Sequence, residues 1–181
     1  MTQKYILTGG PGSGKSSILL ELESRGEYII REAAEDIIKW NQAKGIEKPW
    51  KLQNFQKQIL DIQIRREDRI PKDLKSVFID RGILDGLAYT ELGTETNREI
   101  QRNARAYTGV FLIDNLGDTR RTEIRREDHE AALQIEKKLE HIYSEVAGYK
   151  IRRIAPDSVE ERADKILRII RRNAPFRRPY R

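Results

Sequence analysis

Short apolar runs alternate along this chain with longer stretches in which apolar residues return every three or four positions. The β-prone runs at 4–8, 27–31, 76–80, 109–113 and 149–154 read as strands. The periodic stretches predict helices over Ser17–Arg25, Ala33–Lys44, Leu52–Arg69 and Asp128–Val146, with another from Thr96 toward Ala106 and a last one after Ser158. Thr96 with Glu99, and Ser158 with Glu161, have the spacing of capping boxes, in which a hydroxyl and a carboxylate satisfy free backbone N–H groups at a helix start. Strands and helices taken in turn predict a doubly wound α/β fold, a parallel sheet flanked by helices, with ligands at the carboxyl ends of the strands.

Two of the predicted helices stand between the second and third strands. Phe55, Ile59 and Ile62 recur there at helical spacing and read as core contacts, although an insertion of this length can also cover a substrate lying on the sheet. In the long helix, Ala132, Ile135, Leu139, Ile142 and Val146 step by threes and fours, so one face packs on the sheet.

Between the first strand and the first helix lies Gly9-Gly10-Pro11-Gly12-Ser13-Gly14-Lys15-Ser16, which fits G-x-x-x-x-G-K-[ST] at every fixed position. Glycines let such a loop bring its N–H groups close to phosphate oxygens, and the following helix start favours an anion. The expected triphosphate contacts are Gly10, Pro11, Gly12, Ser13, Gly14, Lys15, Ser16 and Ser17, with Lys15 on the β- and γ-phosphates and Ser16 on Mg²⁺.

The third strand, Val77-Phe78-Ile79-Asp80, ends in a carboxylate, as a buried support for Mg²⁺ requires. Arg81 follows, expected to meet an acceptor or to form an ion pair with Asp80 or Asp85. Glu32 closes the second strand and faces the same crevice, where a carboxylate can take a proton from an acceptor hydroxyl; the alternative is a plain first-turn acid on a helix dipole. After the fourth strand, residues 115–127 carry Arg120, Arg121, Arg125 and Arg126. Guanidinium groups there suit an arginine-rich lid that clamps phosphates, and a charged surface loop is the competing reading. His129 and His141 have no metal-type spacing to a third ligand and read as surface or packing residues.

Composition narrows the setting. With 35 basic and 29 acidic residues the net charge is +6, and the excess collects at the C-terminus in Arg168, Arg171, Arg172, Arg177, Arg178 and Arg181. Such an end suits nucleic acid or an anionic membrane such as a phosphoinositide surface, and a solvated, partly frayed tail is the plainer reading. The absence of cysteine removes disulfides, a catalytic thiol and thiolate metal sites. No apolar run approaches a membrane span and no signal-peptide pattern precedes the first strand, so a cytoplasmic protein is expected. Residues 1–173 read as one domain and 174–181 as a basic tail.

Taken together, GGPGSGKS at 9–16, Glu32-Ala33-Ala34, Asp80-Arg81-Gly82 with Asp85, Leu87-Ala88-Tyr89, Arg126-Glu127, Tyr143, Gly148-Tyr149 and Ser158-Val159-Glu160-Glu161-Arg162 resemble a family of small P-loop ATPases and kinases similar to nicotinamide riboside kinase domains. The Asp80-Arg81 pair is also similar to that of nucleoside and thymidylate kinases. The resemblance implies a P-loop NTPase fold with a five-stranded parallel sheet in the order 2-3-1-4-5, and ATP–Mg²⁺ chemistry. The expected activity is phosphoryl transfer to a small nucleoside- or nucleotide-like acceptor by Lys15, Glu32, Asp80, Arg81, Arg121, Arg125 and Arg126. A nucleotide-dependent regulator recruited to membrane or nucleic acid and a polynucleotide end kinase are the alternatives. No N-K-x-D motif for guanine is present, which argues against a Ras-like GTPase, but GTP remains open beside ATP.

Overall fold

A strand covered on both faces needs no polar alternation, and the central runs have none: all five residues of β4 (Gly109–Ile113) are buried. The computed structural model describes residues 2–116 and 123–172, with the side chains of 123–128 left aside. With β4, the strands β1 (Gln3–Thr8), β2 (Tyr28–Ile30), β3 (Ser76–Asp80) and β5 (Arg152–Ile154) form one sheet. Its order is β2-β3-β1-β4-β5 and every pairing is parallel, as the resemblance implies. Six α-helices among the described residues surround it: α1 (Lys15–Ser24), α2 (Ala33–Ala43), α3 (Phe55–Asp68), α4 (Glu95–Arg102), α5 (Glu123–His141) and α6 (Val159–Arg171).

The two-residue period of the strands sorts the core. Tyr5, Leu7, Phe78 and Phe111 join Ile18 and Leu22 of α1 and Ile166 of α6. Ile6, Ile79 and Val110 join Leu139 of α5 and the rings of Tyr107, Tyr143 and Tyr149. Burying each such aliphatic side chain stabilises the fold by about 1.5–3 kcal/mol. The same alternation delivers polar groups at the strand ends. Asp80 shares the face of Phe78 and meets α1, while Thr8 shares the face of Ile6 and meets the opposite layer.

Several sequence expectations shift locally. The insertion helix begins at Phe55 rather than Leu52, because Pro49–Lys51 forms a separate turn that Leu52 leaves in an extended conformation. The cap of α4 is Thr94, whose hydroxyl accepts from Asn97 N at 3.2 Å, and not Thr96, which falls inside the first turn. Ser158 caps α6 as expected, accepting from Glu161 N at 3.1 Å. The last strand starts at Arg152 rather than 149 because Tyr149 is a core residue, its hydroxyl accepting from Tyr107 N at 2.9 Å. The long helix ends at His141 and continues as a wider π turn over Ile142–Val146.

Behind the sheet edge lies a buried polar cluster without a periodic signal. Glu67 of α3 accepts through Oε1 from Gln63 Nε2 at 3.0 Å and from the Tyr107 hydroxyl at 3.1 Å. Its Oε2 is buried with no hydrogen-bond partner among the described residues. Burial pushes this carboxyl above its ordinary range, and the two hydrogen bonds only partly oppose that.

Two outcomes follow from these contacts. Ser158→Ala should cost about 1 kcal/mol through the lost cap, read as a lower urea midpoint with an unchanged m-value. For Glu67 the folded state favours the protonated form, so its stabilising contribution is full below the unfolded carboxylate range and is lost as pH rises through the raised value. The melting temperature of Glu67→Gln relative to wild type should therefore rise as pH increases from about 4; parallel pH profiles for the two proteins would refute this.

Candidate active site

Residues 9–14 connect the end of β1 to the start of α1, and close packing explains their composition. A Cβ on Gly10 would stand 2.5 Å from Ala132 O of α5. Gly14 immediately precedes α1 with φ at 84°, a left-handed conformation that side chains resist. Lys15 is 5% exposed. Its Nζ donates to Gly9 O at 3.2 Å, Gly10 O at 3.1 Å and Ser13 Oγ at 3.3 Å, so the ammonium sits inside the loop it closes. Burial, then the neighbouring Arg81 cation, lowers its pKa to about 8.

Across from α1, Asp80 Oδ2 accepts from the Ser16 hydroxyl at 3.0 Å. Its other oxygen, Oδ1, is buried and finds no hydrogen-bond partner among the described residues. Burial, and next the Glu32 carboxylate, raise Asp80 to about 6. An orphaned carboxylate oxygen beside a hydroxyl is an all-oxygen donor set, and it fits Mg²⁺. No cluster of three or more His, Cys, Asp or Glu side chains suited to a metal occurs among the described residues. A magnesium ion here would therefore draw its remaining ligands from water and phosphate oxygens.

Arg81 joins the far side. It adopts φ 62°, unusual for a side-chain-bearing residue and costing on the order of 1–3 kcal/mol. The backbone is held there because Arg81 N donates to Leu7 O at 3.1 Å and Gln63 Nε2 donates to Arg81 O at 3.0 Å. From this position Nε reaches Glu32 Oε1 at 3.0 Å and Nη1 reaches Asp85 Oδ1 at 3.4 Å. The guanidinium also lies 5.5 Å from the centroid of the Tyr89 ring. Burial pulls Arg81 down, but the carboxylates, Asp85 foremost, more than offset it and hold it above the ordinary range. Glu32 stands at the N-cap of α2 yet makes no capping bond with its side chain, which turns to Arg81 instead.

Asp85 anchors the arrangement. Oδ1 accepts from Thr8 Oγ1 at 2.6 Å, while Oδ2 accepts from the Tyr143 hydroxyl at 2.6 Å and Gly82 N at 2.9 Å. The π turn after α5 is what supplies Tyr143. Underneath the phosphate loop, Arg162 of α6 is 2% exposed, and its Nη2 donates to Ser13 O at 2.9 Å and to Asp114 O at 3.2 Å. That ties the Ser13 carbonyl of the loop to α6.

A cavity of about 540 Å³ connects these groups, reaching from Gly12, Lys15 and Ser17 past Glu32, Arg81 and Tyr89 into the helical insertion. Phe55 and Ile59, expected as core, line it together with Ile38, and the insertion forms its outer wall. Of the sequence-selected residues, the loop through Ser17, Glu32, Asp80 and Arg81 come together at one end of the sheet. Arg120 and Arg121 lie outside the described residues, as do the side chains of Arg125 and Arg126 and the segment 174–181. Asp36, paired with Arg66, and His141 are on the surface. Sequence reading gave Thr8, Gln63 and Arg162 no role and Asp85 only a pairing one; the bonds Thr8–Asp85, Gln63–Arg81 and Arg162–Ser13 span 77, 18 and 149 positions, beyond any local pattern. The nearest signal is the spacing of Asp85 four residues after Arg81.

Solved structures share this architecture at low sequence identity. Deoxyadenosine kinase from M. mycoides, with products dCMP and dCDP bound, matches with TM-score 0.66 and 17% identity over 94% of this chain and 100% of that one. NadR in complex with NR matches with TM-score 0.67 and 14% identity over 99% of this chain and 53% of that one, so this chain spans about half of NadR's length. Thymidylate kinase from Candida albicans gives TM-score 0.62 and 14% identity over 95% and 92% of the two chains. Among curated protein sequences none matches. The fold is thus that of P-loop nucleoside and nucleotide kinases, and no helix among the described residues is long and apolar enough to cross a membrane. A family model described as an AAA domain matches residues 4–162, nearly the whole of the described fold, and the chain belongs to that family.

Proposed function

We propose that this chain is an ATP- and Mg²⁺-dependent phosphotransferase whose acceptor is a small nucleoside- or nucleotide-like molecule. One observation carries the reading: a single cavity joins the phosphate loop at Lys15 to the Glu32–Arg81 pair. A two-substrate transfer needs the donor phosphate and an acceptor hydroxyl within one enclosure, positioned for in-line attack. The kinases that share the fold support the same class of chemistry.

The roles follow from the geometry. Loop amides up to Ser17 and the Lys15 ammonium bind the β- and γ-phosphates. Ser16 and Asp80 are the residues that would hold magnesium, which when bound neutralises charge on those phosphates. Glu32 accepts the proton of the acceptor hydroxyl as that oxygen bonds to the γ-phosphorus; the bond to the bridging oxygen breaks and ADP leaves with the electron pair. Arg81 fixes the Glu32 carboxylate and meets the acceptor oxygen. Arg121, Arg125 and Arg126 are assigned to the transferring phosphoryl group on sequence grounds alone.

Two variants test the assignment. Lys15→Ala should weaken triphosphate binding roughly ten- to hundredfold, the equivalent of about 1.5–3 kcal/mol, when measured with a fluorescent ATP analogue. Glu32→Gln should lower kcat by about 10² to 10⁴ while nucleotide affinity stays within twofold, measured by product formation from Mg²⁺–ATP and a nucleoside panel. A fully active Glu32→Gln enzyme would remove Glu32 from the chemistry.

A further inference from the structure

One buried acid lies outside the candidate active site and is nevertheless connected to it. Glu67 of α3 is 3% exposed, and its Oε2 has no hydrogen-bond partner among the described residues. An oxygen left unpaired in this way is costly, and an apolar side chain of similar length would avoid that cost. What an apolar side chain cannot supply is the other oxygen. Oε1 accepts at once from Gln63 Nε2 at 3.0 Å and from the Tyr107 hydroxyl at 3.1 Å.

Those two bonds fix the direction of two others. A side-chain amide nitrogen carries two hydrogens; with one given to Glu67, the second meets Arg81 O at 3.0 Å. A phenol carries one; with it given to Glu67, the oxygen is left to accept from Ile83 N at 3.0 Å. Glu67 thus reaches, through one intermediate on each side, the backbone groups that flank Gly82. Gly82 itself is held by Asp85 Oδ2, and a Cβ there would stand 2.8 Å from the hydroxyls of Tyr107 and Tyr143. The turn that carries Arg81 at φ 62° is therefore gripped by two buried carboxylates, Asp85 directly and Glu67 through Gln63 and Tyr107. Without an acceptor at Oε1 the Gln63 amide is free to reverse and set its oxygen against the Arg81 carbonyl, and the strained backbone loses a restraint.

We propose that Glu67 is a positioning residue: its Oε1 orients Gln63 and Tyr107 so that the Arg81–Ile83 turn presents the Arg81 guanidinium to Glu32. The effect on turnover rests on the phosphotransferase reading above; the effect on Arg81 does not. The role needs an acceptor oxygen and not a charge, since the amide oxygen of a glutamine can take both bonds.

Glu67→Met and Glu67→Gln separate this role from plain packing. With the full chain isotope-labelled for NMR, the Nε–H resonance of Arg81, assigned by its loss in Arg81→Lys, reports the bond to Glu32 at 3.0 Å. It should move toward the position of a solvated arginine in Glu67→Met and keep its wild-type position in Glu67→Gln. Product formation is followed from Mg²⁺–ATP with adenosine, cytidine, thymidine or their 5′-monophosphates. There Glu67→Met should lower kcat about tenfold or more, and Glu67→Gln should restore it. Affinity for a fluorescent ATP analogue should change by less than about twofold in both variants. A Glu67→Met protein that keeps the wild-type resonance, or that matches the turnover of an active wild type, overturns the proposal, as does a Glu67→Gln protein as impaired as Glu67→Met. If Glu67→Met does not fold, Tyr107→Phe cuts the branch to Ile83 and keeps the ring; it should displace the same resonance, and an unmoved one overturns the proposal. A wild type that makes no product removes the phosphotransferase reading and leaves the Arg81 resonance to decide the role of Glu67.

Discussion

A carboxylate kept at 2% exposure is costly unless it is paired, and Asp85 is paired from three parts of the chain. Thr8 donates from the end of β1, Tyr143 from the π turn after α5 and Gly82 from its own turn, leaving an oxygen edge for Arg81. That one group therefore ties the end of β1, just before the phosphate loop, to Arg81 at the end of β3. It also fixes the strained backbone there: with Gly82 N bound by Asp85 and Arg81 O bound by Gln63, the φ of 62° at Arg81 has little freedom to relax.

At the phosphate loop the charges of Lys15 and Asp80 are held away from water. Lys15 lies near 8 and Asp80 near 6, each moved toward its neutral form by burial. Groups held in place by the fold in this way are preorganised, which is where electrostatic binding sites draw their strength. Arg162 works from below on the same loop through the Ser13 carbonyl, so the last helix contributes to the first turn of the site. Across the crevice the paired charges of Glu32 and Arg81 share one cavity with the apolar side chains of Phe55 and Ile59.

The phosphate loop was legible in the sequence because its requirements are local: a turn of glycines, a lysine and a hydroxyl between a strand and a helix. The sheet was legible for a related reason, since strands covered on both faces must be continuously apolar, and Gly109–Ile113 could not be otherwise. Glu32, Asp80 and Arg81 were found because strand ends converge on one edge of a parallel sheet. The Phe55, Ile59 and Ile62 stripe reads as core contact or as cover over the sheet; Phe55 is buried and lines the cavity with Ile59, because helical spacing reports that a face is covered and not whether protein or cavity covers it.

What the sequence determined by itself is the order of elements, the phosphate-binding loop and the residues that close β2 and β3. Tertiary structure decided how those residues are paired and what stands behind them. Thr8 and Asp85 are 77 positions apart, Tyr143 and Asp85 58, and Arg162 and Ser13 149. No periodicity spans such separations. A buried polar group takes whichever partner the packed layers bring within hydrogen-bond reach, and that choice exists only once the sheet and its helices have closed.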